Sequence, residues 1–312
     1  MYQPEGHHLW DFWFVWNRGA CHLFYLQAPK SLPPDERHWS ATVGHAISHD
    51  LVRWAPQRTA LEPGPPGAWD DLAIWTGHVI RHGEGFAMLY TGINRAEHGR
   101  VQRIGLATSV DLQHWAKHPD NPVLEADLRW YEAEDASPLG TRAWRDPFVF
   151  PVPHEGRYRA LITARLADGP LDRRGCLALA RSADLVEWTV EPPFYAPGEF
   201  FHLEIPQLIT HGGRSVLIFS VENPANDGDD AVGTCFRVAE HVTGAYRAVG
   251  HGWLLKGPLA YGAKLVSRDD GRWQALYWRY RDASGRFRGG LADPVDVRFR
   301  DDGAVELIPP PA

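Results

Sequence analysis

Cysteine is scarce in this chain. Cys21, Cys176 and Cys235 are the only three in 312 residues, far apart and with no second partner at metal-ligand spacing, which excludes a disulfide framework and a cysteine-rich metal site. No run of about 18 apolar residues occurs, so no membrane-spanning helix is expected. The segment Met1 to Leu9 contains Pro4, Glu5 and Gly6 and lacks the basic start and apolar stretch of a secretory signal. A soluble, cytoplasmic protein is the expectation. Basic charge is not in excess either: the formal net charge is −7, against the basic footprint that nucleic-acid binding needs. The arginine-rich stretch 279–288 reads as a solvated strand or loop face. Sixteen histidines show no ligand spacing such as His-Glu-x-x-His, so neither a metal nor another cofactor is expected. Gly-rich phosphate loops and Ser-His-Asp nucleophile phrases are missing, and helical periodicity is scarce.

What is present is a repeat. Ser48-His-Asp50-Leu51-Val-Arg-Trp54, Ser109-Val-Asp111-Leu112-Gln-His-Trp115 and Ser182-Ala-Asp184-Leu185-Val-Glu-Trp188 are three copies of one phrase, with starts 61 and 73 residues apart. Each follows a short apolar segment. That order reads as a strand, a tight turn made by Ser and Asp side chains, and a strand opened by Trp. Strand-rich units recurring at such intervals favour the four-stranded blades of a propeller. The expected fold is all-β, a five-bladed β-propeller of four-stranded antiparallel blades near 10–60, 72–124, 144–195, 202–250 and 258–308, forming one catalytic domain over 1–312. Thirty glycines and 25 prolines spread through the chain fit many short strands joined by turns. Insertions at 125–143 and 223–231 are expected to overhang one face. Trp54, Trp115 and Trp188 are expected to pack between blades.

Three acidic motifs stand near the starts of blades one, three and four: Trp10-Asp11-Phe12-Trp13, Trp144-Arg145-Asp146-Pro147-Phe148 and Glu204-Ile205-Pro206-Gln207. Read singly, Asp11 fits a turn or cap, Asp146 a strand-opening turn whose proline enforces extended backbone, and Glu204 an exposed strand edge. The innermost strands of a propeller line a central channel, so together the three acids can converge. Glycosidic cleavage needs such carboxyls, one to protonate the leaving oxygen and another to attack or activate water. Tryptophan faces suit the apolar side of a sugar ring; Trp10, Trp13 and Trp75, with Trp39 after them, are the wall candidates.

These phrases resemble the catalytic propeller of glycoside hydrolase families 32 and 68, the invertase, fructanase and levansucrase group. Further resemblance lies in Gly19-Ala-Cys-His22-Leu23-Phe24-Tyr25, Val43-Gly44-His45-Ala46-Ile-Ser48, Ile74-Trp75-Thr76-Gly77 and Asn121-Pro122-Val123-Leu124. It covers roughly residues 8–220 and implies Asp11 as nucleophile, Asp146 as transition-state stabiliser and Glu204 as acid/base, with Trp75, Thr76 and Arg145 among the sugar contacts. It also implies that hydrogen bonds or a positive neighbour keep Asp11 ionised while burial or negative charge raises Glu204, and that Arg145 holds Asp146 charged or touches the sugar. The chain departs from family 32 in lacking Asn-Asp-Pro-Asn-Gly and in carrying Ile205 where a cysteine is usual, and no C-terminal β-sandwich is expected after the five blades.

The function so implied is retaining cleavage of β-fructofuranosides, sucrose or short fructans, with transfer to sugar acceptors as a side reaction. Family 43-like inverting hydrolysis of α-L-arabinofuranosides or β-xylosides is the second enzymatic reading, and a sugar-binding propeller without turnover the third. The expected partner is a small carbohydrate, with neither nucleic acid nor membrane; the sequence leaves the oligomeric state open.

Overall fold

The computed structural model describes residues 1–152, 157–222 and 232–308. Its strands form five four-stranded antiparallel sheets. The first holds β1 (His7–Asn17), β2 (Ala20–Pro29), β3 (Thr42–Ser48) and β4 (Ala55–Pro56); the second β5 (Ala73–His82), β6 (Gly85–Ile93), β7 (Arg103–Ser109) and β8 (Ala116–Lys117). The third holds β9 (Trp144–Val152), β10 (Arg157–Arg165), β11 (Gly175–Ser182) and β12 (Trp188–Tyr195). The fourth holds β13 (Glu204–His211), β14 (Arg214–Glu222), β15 (Val232–Ala239) and β16 (Trp253–Lys256), and the fifth β17 (Ala260–Ser267), β18 (Trp273–Arg279), β19 (Val295–Phe299) and β20 (Val305–Ile308). The first strands of successive sheets pack side by side, β1 on β5, β5 on β9, β9 on β13, β13 on β17 and β17 on β1. This is a five-bladed β-propeller. Its blades match the expected limits, except that β16 carries the fourth past residue 250. The 223–231 insertion lies outside the described residues.

Each blade hides its apolar side chains against the next. One core cluster joins Phe12, Met88 and Leu276 of blades one, two and five; another joins Leu89, Ile104 and Ile162 of blades two and three. Middle strands are therefore covered on both faces, and β2 is buried from Ala20 to Ala28, the near-continuous apolar run of a doubly covered strand. The ring closes through the N-terminal segment: Tyr2 N–H donates to Leu291 O, Leu291 N–H to Tyr2 O, and Gly290 N–H to Leu9 O.

The repeated phrase has one geometry in all three copies. Ser48, Ser109 and Ser182 Oγ each receive the N–H of the leucine three residues on at 2.8 Å, which lets Leu51, Leu112 and Leu185 enter the core with φ of 65°, 65° and 71°. The indole of each following tryptophan donates to that leucine's carbonyl, and Trp115 of blade two also meets Phe24 of blade one edge-on, the packing between blades expected of it. Because Leu51 is fully buried, Ser48→Ala leaves its N–H without that acceptor. The expected loss is about 1–3 kcal/mol of stability in urea unfolding; a loss below ~0.5 kcal/mol, the ordinary surface range, would show that the turn does not depend on it.

Among the described residues no helix is long and apolar enough to cross a membrane.

Candidate active site

All five innermost strands carry one extra residue at the same level, seen as a register shift against their neighbours. The shift falls between Trp10 and Phe12 in β1, between Trp75 and Gly77 in β5 and between Glu204 and Gln207 in β13. It falls between Tyr261 and Lys264 in β17, and in β9 beside Asp146, opposite Leu161 to Thr163. A bulge bends a strand and re-aims a side chain. Here five bulges turn Asp11, Thr76, Asp146, Glu204 and Tyr261 toward one cavity of about 400 Å³ at the hub. The bulged backbone is unusual: Asp146 has φ 54° and the β-branched Ile205 φ 52°, left-handed conformations that cost about 1–3 kcal/mol each. Gly262, at φ 65°, has no such penalty. A Cβ there would lie 2.6 Å from Trp278 Nε1, so only glycine lets that indole cross the bulge.

The three acids are held by different partners. Asp11 Oδ1 accepts from Trp278 Nε1 at 3.0 Å, and Thr76 Oγ1 stands 3.5 Å from Oδ2. Asp146 Oδ2 accepts from Thr163 Oγ1 at 3.0 Å and from the Ile205 N–H at 3.2 Å. Glu204 takes Arg145 on Oε1 and the Tyr261 hydroxyl on Oε2, each at 2.5 Å. Arg145 also reaches Gln102 and His202, and its Nε lies 3.6 Å from Asp146. It is thus chiefly a partner of Glu204, and secondarily the holder of Asp146 foreseen from sequence.

Electrostatics reverse one expectation. Burial, and then the neighbouring Asp146 and Glu204, push the Asp11 carboxyl up to about 8, against the pull of Arg37 and the Trp278 N–H. Hydrogen bonds and a positive neighbour exist but lose to desolvation and two like charges. Asp146 is also raised by burial, with Arg145 opposing. Burial keeps both nearby imidazoles neutral: His38 is pushed down to about 3 and His202 well below its ordinary range.

The walls match the expectation in part. Trp10, Trp39, Trp75, Thr76 and Arg145 line the cavity. Trp13 does not. It lies two residues past Asp11, about 6.6 Å further along the strand, fully buried and stacked on Phe24. A Cβ on Gly77 of β5 would come within 3.3 Å of it, so Trp13 fills the seam between blades one and two. A 3-10 helix at Pro34–Ser40 brings Asp35, Arg37, His38 and Trp39 to the mouth, fixed by the Trp75 indole donating to His38 O at 2.7 Å. Arg37 is sandwiched over Phe287 and Trp10. The 125–143 insertion reaches over the same face and contributes Leu139 and Thr141.

Sequence reading missed Tyr261, Trp278, Arg37, Gln102, His202, Glu222 and Tyr280. Aligning the innermost strands at their bulges would have found Tyr261, which stands in blade five where Asp11 and Glu204 stand in theirs. Among the described residues no group of three or more His, Cys, Asp or Glu is placed to hold a metal ion.

The chain matches the Glycosyl hydrolases family 32 N-terminal domain over residues 12–281. It is 29% identical over 217 residues to a cell wall isozyme of beta-fructofuranosidase from Pisum sativum, covering 68% of this chain and 36% of the relative. To a probable sucrose-6-phosphate hydrolase from Psychromonas ingrahamii it is 31% identical over 179 residues, 56% of this chain and 28% of the relative. The chain thus spans about a third of the length of these relatives. Among solved structures, an inulosucrase from Halalkalicoccus jeotgali bound to kestose superposes with a TM-score of 0.78 at 22% identity, over 97% of this chain and 87% of the other, a likeness of fold.

Proposed function

The chain belongs to glycosyl hydrolase family 32, and from that membership we propose that it hydrolyses β-fructofuranosides with retention of configuration. The observation that carries this reading is the convergence of Asp11, Asp146 and Glu204, each from an innermost-strand bulge, on one cavity. Asp11, ionised, attacks the anomeric carbon while Glu204 gives its proton to the departing oxygen; water activated by Glu204 then releases fructose. Asp146, anchored by Thr163 and the Ile205 N–H, accepts ring hydroxyls as positive charge develops on the sugar. Tyr261 must yield Glu204 Oε2 when the leaving oxygen arrives, since both seek that atom. The Asp11 carboxyl, pushed up to about 8, must lose its proton first, so kcat/KM climbs with pH on a limb above the usual carboxylate range.

The cavity also favours uncharged substrates. Among its described lining residues are the acids Asp11, Asp35, Asp146, Glu204 and Glu222, against Arg37 and Arg145 as cations. Arg145 and Glu204 offset each other, and in the reactive form, with Asp11 ionised, the other four acids face Arg37 alone. A phosphorylated sugar therefore meets repulsion. We expect sucrose and short fructans to exceed sucrose 6-phosphate in kcat/KM by at least about tenfold, a difference of ~1.4 kcal/mol.

One panel tests both statements: sucrose, sucrose 6-phosphate, 1-kestose, and nitrophenyl α-L-arabinofuranoside and β-D-xyloside, with the first-formed anomer read by NMR. Retained β-fructose from the uncharged fructosides is the expected result. Turnover of only the arabinoside or xyloside, or inverted product, would replace the proposal with family 43-like chemistry; no turnover of any would leave a binding propeller.

A further inference from the structure

Below the three carboxyls, on the innermost strand of blade five, lies a buried cation with no role so far. Lys264 is 5% exposed. Its Nζ donates to two backbone carbonyls, Ile205 O at 3.2 Å and Pro206 O at 3.3 Å. Those carbonyls belong to the β13 bulge that presents Glu204, and the N–H of the same Ile205 donates to Asp146 Oδ2. One side chain therefore holds, through one strained peptide segment, the acid on β13 and the acid on β9. Removing an ammonium from water is costly unless opposite charge compensates it, and carbonyl dipoles supply only part of that.

We propose, on the reading of this site as a fructosidase, that Lys264 is a positioning residue: its ammonium fixes the Ile205–Pro206 bulge and adds, to Arg37 and Arg145, a positive charge that favours the ionised forms of Asp11 and Asp146.

Burial depresses the ammonium to about 8, against the attraction of Asp146 on β9 and Asp11 on β1. On β5, His78 is pushed down to about 3 by burial and by Lys264 itself, so it adds no charge. On β9 Arg145, and on β13 Glu204, are committed to each other, and Glu204 also to Tyr261 of β17. Glu222 on β14 is held by Tyr280, and Arg237 on β15 by Glu199 and Tyr195. On β18, Arg279 lies over Tyr277. Arg37, which lines the cavity and lies over Phe287, also favours the ionised form of Asp11.

The test compares Lys264→Met, Lys264→Gln and Lys264→Arg with the wild type on sucrose, reading kcat, KM and the pH profile of kcat/KM. Loss of the charge makes Asp11 harder to ionise, so in the Met and Gln variants the acidic limb moves up by about one pH unit. We expect kcat to fall about 10²-fold or more while KM stays within about threefold, the signature of a group that acts in the transition state. Lys264→Arg keeps the charge and the wild-type limb. A folded Met or Gln variant with an unmoved limb and near-normal kcat overturns the proposal. If neither neutral variant folds, the Arg variant decides: a folded protein with the wild-type limb supports the charge role, whereas loss of fold there too marks Lys264 as structural and overturns it. A wild type inactive on every fructoside would sink the underlying reading before any variant is made, so the two failures are told apart.

Discussion

Asp11→Asn is expected to reduce sucrose hydrolysis by about 10⁴-fold or more, because an amide cannot form the glycosyl-enzyme bond on which the double displacement depends. The same change is expected to make the protein more stable. Asparagine still accepts the Trp278 N–H, but it carries no charge to bury beside Asp146 and Glu204. The sign follows from the folded carboxyl being pushed up to about 8 from an ordinary 3.8. Below pH ~4 the acid holds its proton in both folded and unfolded chains, and the two proteins differ little from this source. Between those values the unfolded acid ionises freely while the folded one is held back, so the wild type loses stability relative to the variant as pH rises. The gap grows at up to ~1.4 kcal/mol per pH unit and levels off above about 8. Thermal melts of both proteins at pH 4, 6 and 8 check this. A variant that retains a tenth of wild-type activity would remove Asp11 from the nucleophile's place, and a stability gap that shrinks with pH would contradict the electrostatic account.

Glu204→Gln carries the second large effect. Glutamine keeps the Arg145 and Tyr261 contacts in size but has no proton to give, and loss of general-acid help costs about 10²–10⁴-fold on sucrose. A fructoside with a nitrophenolate leaving group needs little protonation, so its first step should survive. Its second step should not, because the amide that replaces the Glu204 carboxylate cannot activate water. The expected record is a burst of one nitrophenol per enzyme followed by slow turnover, the kinetic mark of an accumulated covalent intermediate. Equal losses on both substrates with no burst would assign the acid/base role elsewhere.

Both results depend on an arrangement that was legible in part. The repeated Ser-Asp-Leu-Trp phrase announced the blades because its chemistry is local: each serine oxygen and aspartate oxygen answers backbone N–H groups two or three residues away, and such turns form wherever the phrase occurs. The three acids were recognisable from their near neighbours, and their common level in the ring followed from each standing at a blade's beginning. The aromatic walls were less legible. Trp10 and Trp13 stand on either side of the same aspartate, yet one lines the cavity and the other fills a seam, because Trp13 lies further along β1, stacked on Phe24 and against Gly77 of the next blade.

The order of residues alone thus determined the strands, the turns, the blade count and the identity of three acids, since these rest on local phrases and on their recurrence along the chain. Tertiary structure decided the rest of the site. Trp278 meets Asp11 across 267 residues, and Tyr261 meets Glu204 across 57. Desolvation and Coulomb attraction depend on distances that exist only once the innermost strands of all the blades pack around one hub. For that reason the raised Asp11, the pairing of Arg145 with Glu204, and the lysine beneath them belong to the closed ring rather than to any segment of the chain.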